Sequence, residues 1–238
     1  MDYVIIIIPA GLAVIVAVVF GLFKHPAKAL EERRQRMVEL AGRLGLRYYG
    51  SVDAVASSLL PSSALFEKDV PRNVGNLIAE VRRPPRALLF DYGHGDAPMQ
   101  RADLRSEGEE RMLYLVAMVR LPDTVRAVAA CLHRKDWFGG PVNVKGLYTL
   151  QFEGDRAFSE SFLIAGEPRE AISRMLGGPV RQAIMRWSSG GPQPVVELMP
   201  EWVMAYVESE TGDRQVAQKA TELLGYASGV VKALGEAH

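Results

Sequence analysis

The sequence predicts an α+β fold, in which an N-terminal transmembrane helix precedes a mainly antiparallel sheet packed with helices. Three observations predict this class. The chain begins with a long run of uncharged residues, its middle contains short strand-like runs joined by local turns, and its last part has helical periodicity. Strands joined by local turns favour antiparallel pairing over βαβ crossovers.

The composition is that of a globular protein. The 238 residues include 28 Lys and Arg against 28 Asp and Glu, and 48% of them are hydrophobic. A formal net charge of zero argues against a nucleic-acid partner, because such binding depends on the neutralisation of phosphates. The single cysteine, Cys131, excludes an internal disulfide and a paired-cysteine metal site.

Residues 4–23 carry no charged side chain and would measure about 30 Å as a helix, the thickness of a bilayer core. A cleaved signal peptide is the competing interpretation. That interpretation is disfavoured because Asp2 precedes the run, no base does, and such signals have apolar runs of about 7–15 residues. The sequence therefore predicts a membrane anchor over residues 1–25, bent at Pro9, and one α+β domain over residues 26–238.

Basic residues after this run predict its orientation. Bases outnumber acids in residues 24–47, and the positive-inside rule then places the large domain in the cytoplasm and the N-terminus outside. Five of these bases are predicted to lie at the membrane surface: Lys24, Lys28, Arg33, Arg34 and Arg36. The alternative is an ordinary solvated helix face, partly neutralised by Glu31 and Glu32.

Small residues recur along one face of the predicted anchor. Ala13, Ala17 and Gly21 are spaced by four residues, a pattern that lets two helices approach closely in lipid and predicts a possible homodimer. The alternative is that Ala and Gly are simply common in such helices. The lipid bilayer and an unidentified protein are the other predicted partners.

Periodicity and turn residues define the remaining elements in order. Predicted helices cover residues 26–44, which Gly45 ends, 52–60, 168–176, 179–187 and a last stretch capped by Asp213. Predicted strands cover residues 74–81, 86–92, 111–121, 125–132, 144–152, 158–165, 195–199 and 202–208. The last strand pair is apolar on both faces, which predicts helices on both sides of it.

The last helix carries a seam of apolar residues at heptad spacing. Its members are Val216, Ala220, Leu223, Ala227, Val230 and Leu234. The seam is only about three heptads long, and Gly225 and Gly229 interrupt it. Packing of the helix on the core is therefore favoured over an intermolecular coiled coil.

Several short segments together carry a resemblance to one group of proteins. They are LAGRLGLRY at residues 40–48, ALLFDY at 87–92 and FSESFLIAGE at 158–167. In this order they are similar to an uncharacterised group of bacterial single-pass membrane proteins with a cytoplasmic α+β domain. The resemblance implies the architecture and an inner-membrane location. It implies no activity and no catalytic residues.

The chain contains no phosphate-binding, dinucleotide-binding, nucleophile-elbow or zinc-protease motif. The strongest polar cluster is Asp91, His94 and Asp96, whose oxygen and nitrogen ligands suit a divalent metal. A solvated turn is the favoured alternative, because Asp and Gly are also typical turn residues. His133 is a weaker acid–base candidate, and Cys131 is predicted to be a buried apolar side chain.

These observations predict a membrane-anchored interaction or scaffolding protein without a cofactor. The alternatives are a metal-dependent hydrolase that uses Asp91, His94 and Asp96, and a small-ligand sensor. The sequence leaves open whether the protein is an enzyme.

Overall fold

The computed structural model describes residues 28–50, 73–81, 84–93, 113–135, 147–187 and 192–237. The first described element is helix α1, residues 28–44. It ends where Gly45 adopts a φ of +66° and Leu46 donates its backbone N–H to the carbonyl of Ala41 at 2.9 Å. This is the glycine-terminated helix end that the sequence predicts, and the predicted helix is confirmed over residues 28–44.

Within the described residues, nine strands form one sheet, and all neighbouring strands are antiparallel. The strands are β1 (Arg47–Gly50), β2 (Asn73–Ala79), β3 (Ala87–Gly93), β4 (Leu113–Arg120), β5 (Ala130–Arg134), β6 (Leu147–Tyr148), β7 (Phe162–Ala165), β8 (Val195–Met199) and β9 (Trp202–Ser209). Their order across the sheet is β1-β2-β3-β4-β9-β8-β5-β7-β6. The antiparallel sheet predicted from the short strands is thus confirmed.

The hairpin of β8 and β9 lies in the middle of this sheet. Strand β9 pairs along its whole length with β4, from Leu113 opposite Ser209 to Arg120 opposite Trp202. Strand β8 pairs with β5 on the other side. The hairpin therefore joins the β1–β4 half of the sheet to the β5–β7 half, which places the end of β9 beside β3 and β4.

Four further helices follow in the part of the chain that the structure describes. They are α2 (Arg156–Ser161), α3 (Arg169–Met175), α4 (Gly178–Met185) and α5 (Val216–Glu236). Helix α5 packs across β4 and β9 and against α4. All six residues of its predicted apolar seam are buried, so the prediction that this helix packs on the core is confirmed.

The two faces of the sheet bury separate sets of side chains. The buried apolar residues of all five described helices belong to one cluster with one face of the sheet, which includes Leu89, Leu115 and Val203. Alternate residues such as Phe90 and Met204 form a second cluster, which contains no residue of a described helix. Helices were predicted to cover both faces of the sheet. Within the described residues they cover one face only.

The predicted fold class is corrected in one respect. Among the helices of the described residues, none combines the length and the apolar content needed to cross a membrane. Helix α5 is 21 residues long, but it turns charged residues such as Lys219 and Glu222 away from the core. The fold class with a transmembrane helix, and with it the single-pass membrane assignment, is wrong for this structure, which is a large antiparallel sheet packed with helices. The predicted anchor segment at residues 4–23 lies outside the described residues.

Most predicted strands match within about two residues at each end, but three differ by more within the described residues. The strand predicted at residues 125–132 begins only at Ala130, and the one at 144–152 is reduced to Leu147–Tyr148 in its described part. The strand predicted at 158–165 begins with helix α2, because Asp155 caps that helix by accepting the N–H of Phe158. The ring of Phe158 then stacks on Phe162 at 4.8 Å. The helix predicted at residues 52–60 lies outside the described residues.

Candidate functional site

A buried ion pair joins the first helix to the sheet. Arg33 of α1 and Asp91 of β3 are both 0% exposed. The guanidinium donates two hydrogen bonds to the carboxylate, from Nε to Oδ2 at 2.7 Å and from NH2 to Oδ1 at 2.6 Å. This parallel, two-bond geometry is the strongest form of an Arg–carboxylate contact.

Two further hydrogen bonds of Arg33 reach the C-terminal end of β9. Its NH2 group also donates to Oγ of Ser209 at 3.0 Å, and NH1 donates to the backbone carbonyl of Glu210 at 2.8 Å. Burial alone would lower the pKa of Arg33, but the charge of Asp91 and its hydrogen bonds outweigh this effect and raise the pKa. The guanidinium therefore stays charged and ties α1, β3 and the end of β9 together.

Two side chains extend the network toward the sheet edge. Asn76 of β2 donates from Nδ2 to Oδ2 of Asp91 at 2.8 Å and accepts the hydroxyl of Tyr48 at 2.8 Å. Asn76 has a φ of +50° and lies where the pairing of β2 with β3 shifts register, between Gly75 and Ile78. At this bulge the Asn76 amide faces Asp91 and adds a second hydrogen bond to Oδ2, which Arg33 already contacts.

An open groove of about 890 Å³ lies beside this network, and we call it the turn groove. It is lined by the end of β9 and the turn that leads into α5, residues 208–215, together with Leu113 and Lys219. Within the turn, Asp213 pairs with Lys219 at 2.7 Å and accepts the backbone N–H of Gln215 at 2.8 Å. Burial opposes ionisation of Asp213, but these contacts outweigh it and lower its pKa.

The opposite face of the sheet holds a second polar cluster. Sγ of Cys131 lies 3.1 Å from Nε2 of His133, and the hydroxyl of Tyr206 donates to Oε1 of Glu197 at 3.3 Å. Burial, followed by the charge of Glu197, raises the pKa of the Cys131 thiol well above its ordinary value, and burial lowers the pKa of His133. A protonated thiol beside a neutral imidazole is a poor nucleophile.

We expect Cys131 to react slowly with iodoacetamide in the native protein at pH 8, at least tenfold more slowly than in urea-unfolded protein. Its 6% exposure and its raised pKa both reduce the concentration of accessible thiolate. Mass spectrometry of the alkylated peptide over time measures the two rates. Equal rates in native and unfolded protein would show that the thiol is exposed and ionised.

Of the three predicted metal ligands, Asp91 lies within the described residues. Asp91 is buried with both oxygens hydrogen-bonded to Arg33 and Asn76, which leaves it poorly suited to bind a cation. His94 and Asp96 lie outside the described residues. Within the described part of the chain, no group of three His, Cys, Asp or Glu side chains is arranged to hold a metal ion.

The predicted membrane-surface bases divide into two groups. Lys28, Arg34 and Arg36 form ion pairs with Glu31 and Glu32 along α1, and Arg36 also donates to the backbone carbonyl of Asp213 at 3.5 Å. Arg33 differs from the prediction, because it points into the protein rather than to the surface. Lys24 and the predicted helix-packing residues Ala13, Ala17 and Gly21 lie outside the described residues.

The Arg33–Asp91 pair was not predicted, although the sequence carries a signal for it. Arg33 shares one helix face with Met37, Leu40 and Ala41, all of which are buried. Asp91 likewise follows the apolar run at residues 87–90 of a buried strand. A single Arg on an apolar helix face and a single Asp in an apolar strand indicate a buried pair, because neither charge is stable alone in the core.

Comparisons with known proteins add one fold likeness. No family model matches the chain, and no curated protein matches it. A solved structure, the mycobacterial trehalose monomycolate transport factor A, TtfA, matches over 84% of this chain and 93% of that chain with a TM-score of 0.52. The two chains share a fold. At 12% sequence identity the likeness shows the fold alone. The resemblance to bacterial single-pass proteins stays a prediction.

Proposed function

We propose that this chain is a non-catalytic interaction module that docks a protein partner at the turn groove. The observation that carries the proposal is the position of the groove beside the Arg33–Asp91 network. The network holds α1, β3 and the end of β9 in one arrangement through buried, charge-assisted hydrogen bonds. A surface fixed in this way loses little conformational entropy on binding, which favours its use for recognition.

The chemistry of the described polar groups supports a role in binding rather than catalysis. Both oxygens of Asp91 are hydrogen-bonded to neighbouring side chains, and the thiol of Cys131 is held in its protonated form by burial. A general base or nucleophile needs the opposite: an accessible group whose pKa is matched to its task. The hydrolase alternative, which relied on Asp91, thereby loses one of its three predicted ligands.

The charges at the turn groove indicate the kind of partner. Asp213 and Lys219 neutralise each other as a pair, which leaves Glu208 and Glu210, both exposed, against Arg214. The groove rim is therefore weakly acidic. It suits a basic segment of a partner protein, since complementary charge guides association and suppresses wrong partners.

The fold likeness suggests that the chain takes part in a transport process. The similar structure is that of a transport factor for trehalose monomycolate. We extend this to a proposal for the present chain: it is an accessory factor whose basic partner belongs to a transport assembly. The support is analogy of fold, to which the groove adds a place for the partner to dock.

A matched pair of variants tests the proposal in the full-length chain. Tagged protein is crosslinked in the producing cells and the captured proteins are quantified by mass spectrometry. Glu208→Lys combined with Glu210→Lys should reduce capture of the specific partner at least tenfold, because it reverses the charge of the rim. Glu170→Lys, an exposed substitution on α3 outside the groove lining, should leave capture unchanged. Equal capture by the wild-type chain and the groove variant would refute docking at this site.

A further inference from the structure

Helix α5 turns a second regular seam away from the sheet. Its members are spaced by four and three residues, and they are Gln218, Glu222, Gly225, Gly229, Lys232 and Glu236. All of these except Gln218, five of the six, line the groove between α4 and α5, a space of about 500 Å³. We call this surface the α5 seam. It shares no residue with the turn groove.

Two glycines at the centre of the seam have no explanation within the described chain. Gly225 and Gly229 lie in the interior of α5, where glycine destabilises a helix relative to alanine. A Cβ added at either position would meet no atom within 4 Å. Internal packing therefore does not require glycine there. A glycine at a helix surface does allow a second backbone to approach closely.

The wall of the groove adds a separate observation. The ring of Trp187 packs edge-on against Tyr226 with a centroid distance of 5.4 Å, and both residues line the groove. Nε1 of Trp187 is buried and has no hydrogen-bond partner among the described residues. This donor is enclosed within the chain, so it is not itself a contact for a second copy; the two rings instead give the groove an apolar wall against which a second helix can pack.

The charge pattern of the seam identifies the occupant. If two α5 helices pack antiparallel and their residues 227 lie at the same level, Gly225 of one helix faces Gly229 of the other. In the same register Glu222 faces Lys232, and Gln218 faces Glu236. Each contact occurs twice, as a two-fold axis requires. A parallel arrangement would instead place Glu222 against Glu222 and Lys232 against Lys232.

We propose that a second copy of this chain docks on the α5 seam, with the two α5 helices antiparallel and in close contact at Gly225 and Gly229. The Glu222–Lys232 pairs set the register at both ends of the glycine contact. Lys232 is 77% exposed, and its contact with Glu236 is a loose 3.7 Å pair along the helix. Glu222 accepts a hydrogen bond from Gln218 at 2.9 Å along the same helix, which engages one of its two carboxylate oxygens. Self-association here goes beyond the partner docking proposed for the turn groove.

Charge reversal tests the register with the full-length chain. Two differently tagged copies are co-expressed, and the fraction of one captured with the other is measured. Glu222→Lys in both copies, or Lys232→Glu in both, replaces two attractive contacts with two repulsive ones and should lower capture about tenfold. One copy with Glu222→Lys and the other with Lys232→Glu restores opposite charges at both contacts, and capture should return to the wild-type level.

A steric pair provides the second arm of the test. Gly229→Leu should lower capture by at least tenfold because it blocks close approach, whereas Gly42→Leu on the exposed face of α1 should leave it unchanged. The absence of capture between wild-type copies would overturn the proposal. A crossed pair that captures no better than either reversed variant with itself would also overturn it. If the partner docking proposed for the turn groove failed, these measurements of self-association would be unaffected.

Discussion

Replacing Asp91 with Ala should lower the free energy of unfolding by about 3–5 kcal/mol, because it leaves the guanidinium of Arg33 charged and buried without a counter-ion. The pair is 0% exposed on both sides. Ser209 and the carbonyl of Glu210 would still accept hydrogen bonds from Arg33, but neither carries the charge that offsets its desolvation. Urea denaturation of the full-length chain measures the change.

Two controls separate this effect from a general loss of packing. Glu31→Ala removes the exposed pair with Arg34 and should change stability by less than about 1 kcal/mol. Arg33→Met combined with Asp91→Leu removes both charges and should recover most of the loss, since apolar replacements of a buried pair are often neutral or stabilising. An Asp91→Ala variant no less stable than Glu31→Ala would contradict the assignment of a buried ion pair.

Gly166→Ala should destabilise the protein by about 3 kcal/mol, through a steric clash and an unfavourable backbone conformation together. Gly166 has a φ of +139°, which L-residues rarely adopt. An added Cβ would lie 2.5 Å from the carbonyl oxygen of Ala129 and 2.9 Å from Cδ1 of Ile172. The Gly166 carbonyl also accepts the hydroxyl of Tyr148 at 2.9 Å, so a shift of this backbone would disturb a second contact.

The matched control is Gly42→Ala. Gly42 lies in α1, where an added Cβ meets nothing within 4 Å, and the substitution should stabilise the helix by up to about 1 kcal/mol. Thermal and urea unfolding of both variants provide the comparison. Gly166 and Gly42 variants with equal stability would show that the close approach at Gly166 relaxes without cost.

Local signals account for the elements that were predicted well. The end of α1 at Gly45 depends on a single residue that tolerates positive φ, and the burial of α5 depends on apolar spacing within one helix. Local signals failed where a neighbouring contact changed the outcome. Residues 158–161 were predicted as the start of a strand over 158–165, yet Asp155 caps a helix there and Phe158 packs on Phe162. The transmembrane helix was inferred from the length and the uncharged, apolar content of residues 4–23, which lie outside the described residues, and the helices of the described residues provide no such span.

Helix ends, local hairpins such as that of β8 and β9, and the apolar face of α5 can thus be derived from the order of residues, because each depends on contacts among residues near one another in the chain. The candidate site cannot, because Arg33 and Asp91 are 58 positions apart and Arg33 and Ser209 are 176 apart. These residues meet only once β9 has paired with β4 and α1 has packed on the sheet. A charge on an apolar face shows that a partner is needed in the core, but only the long-range pairing of strands determines which residue that partner is.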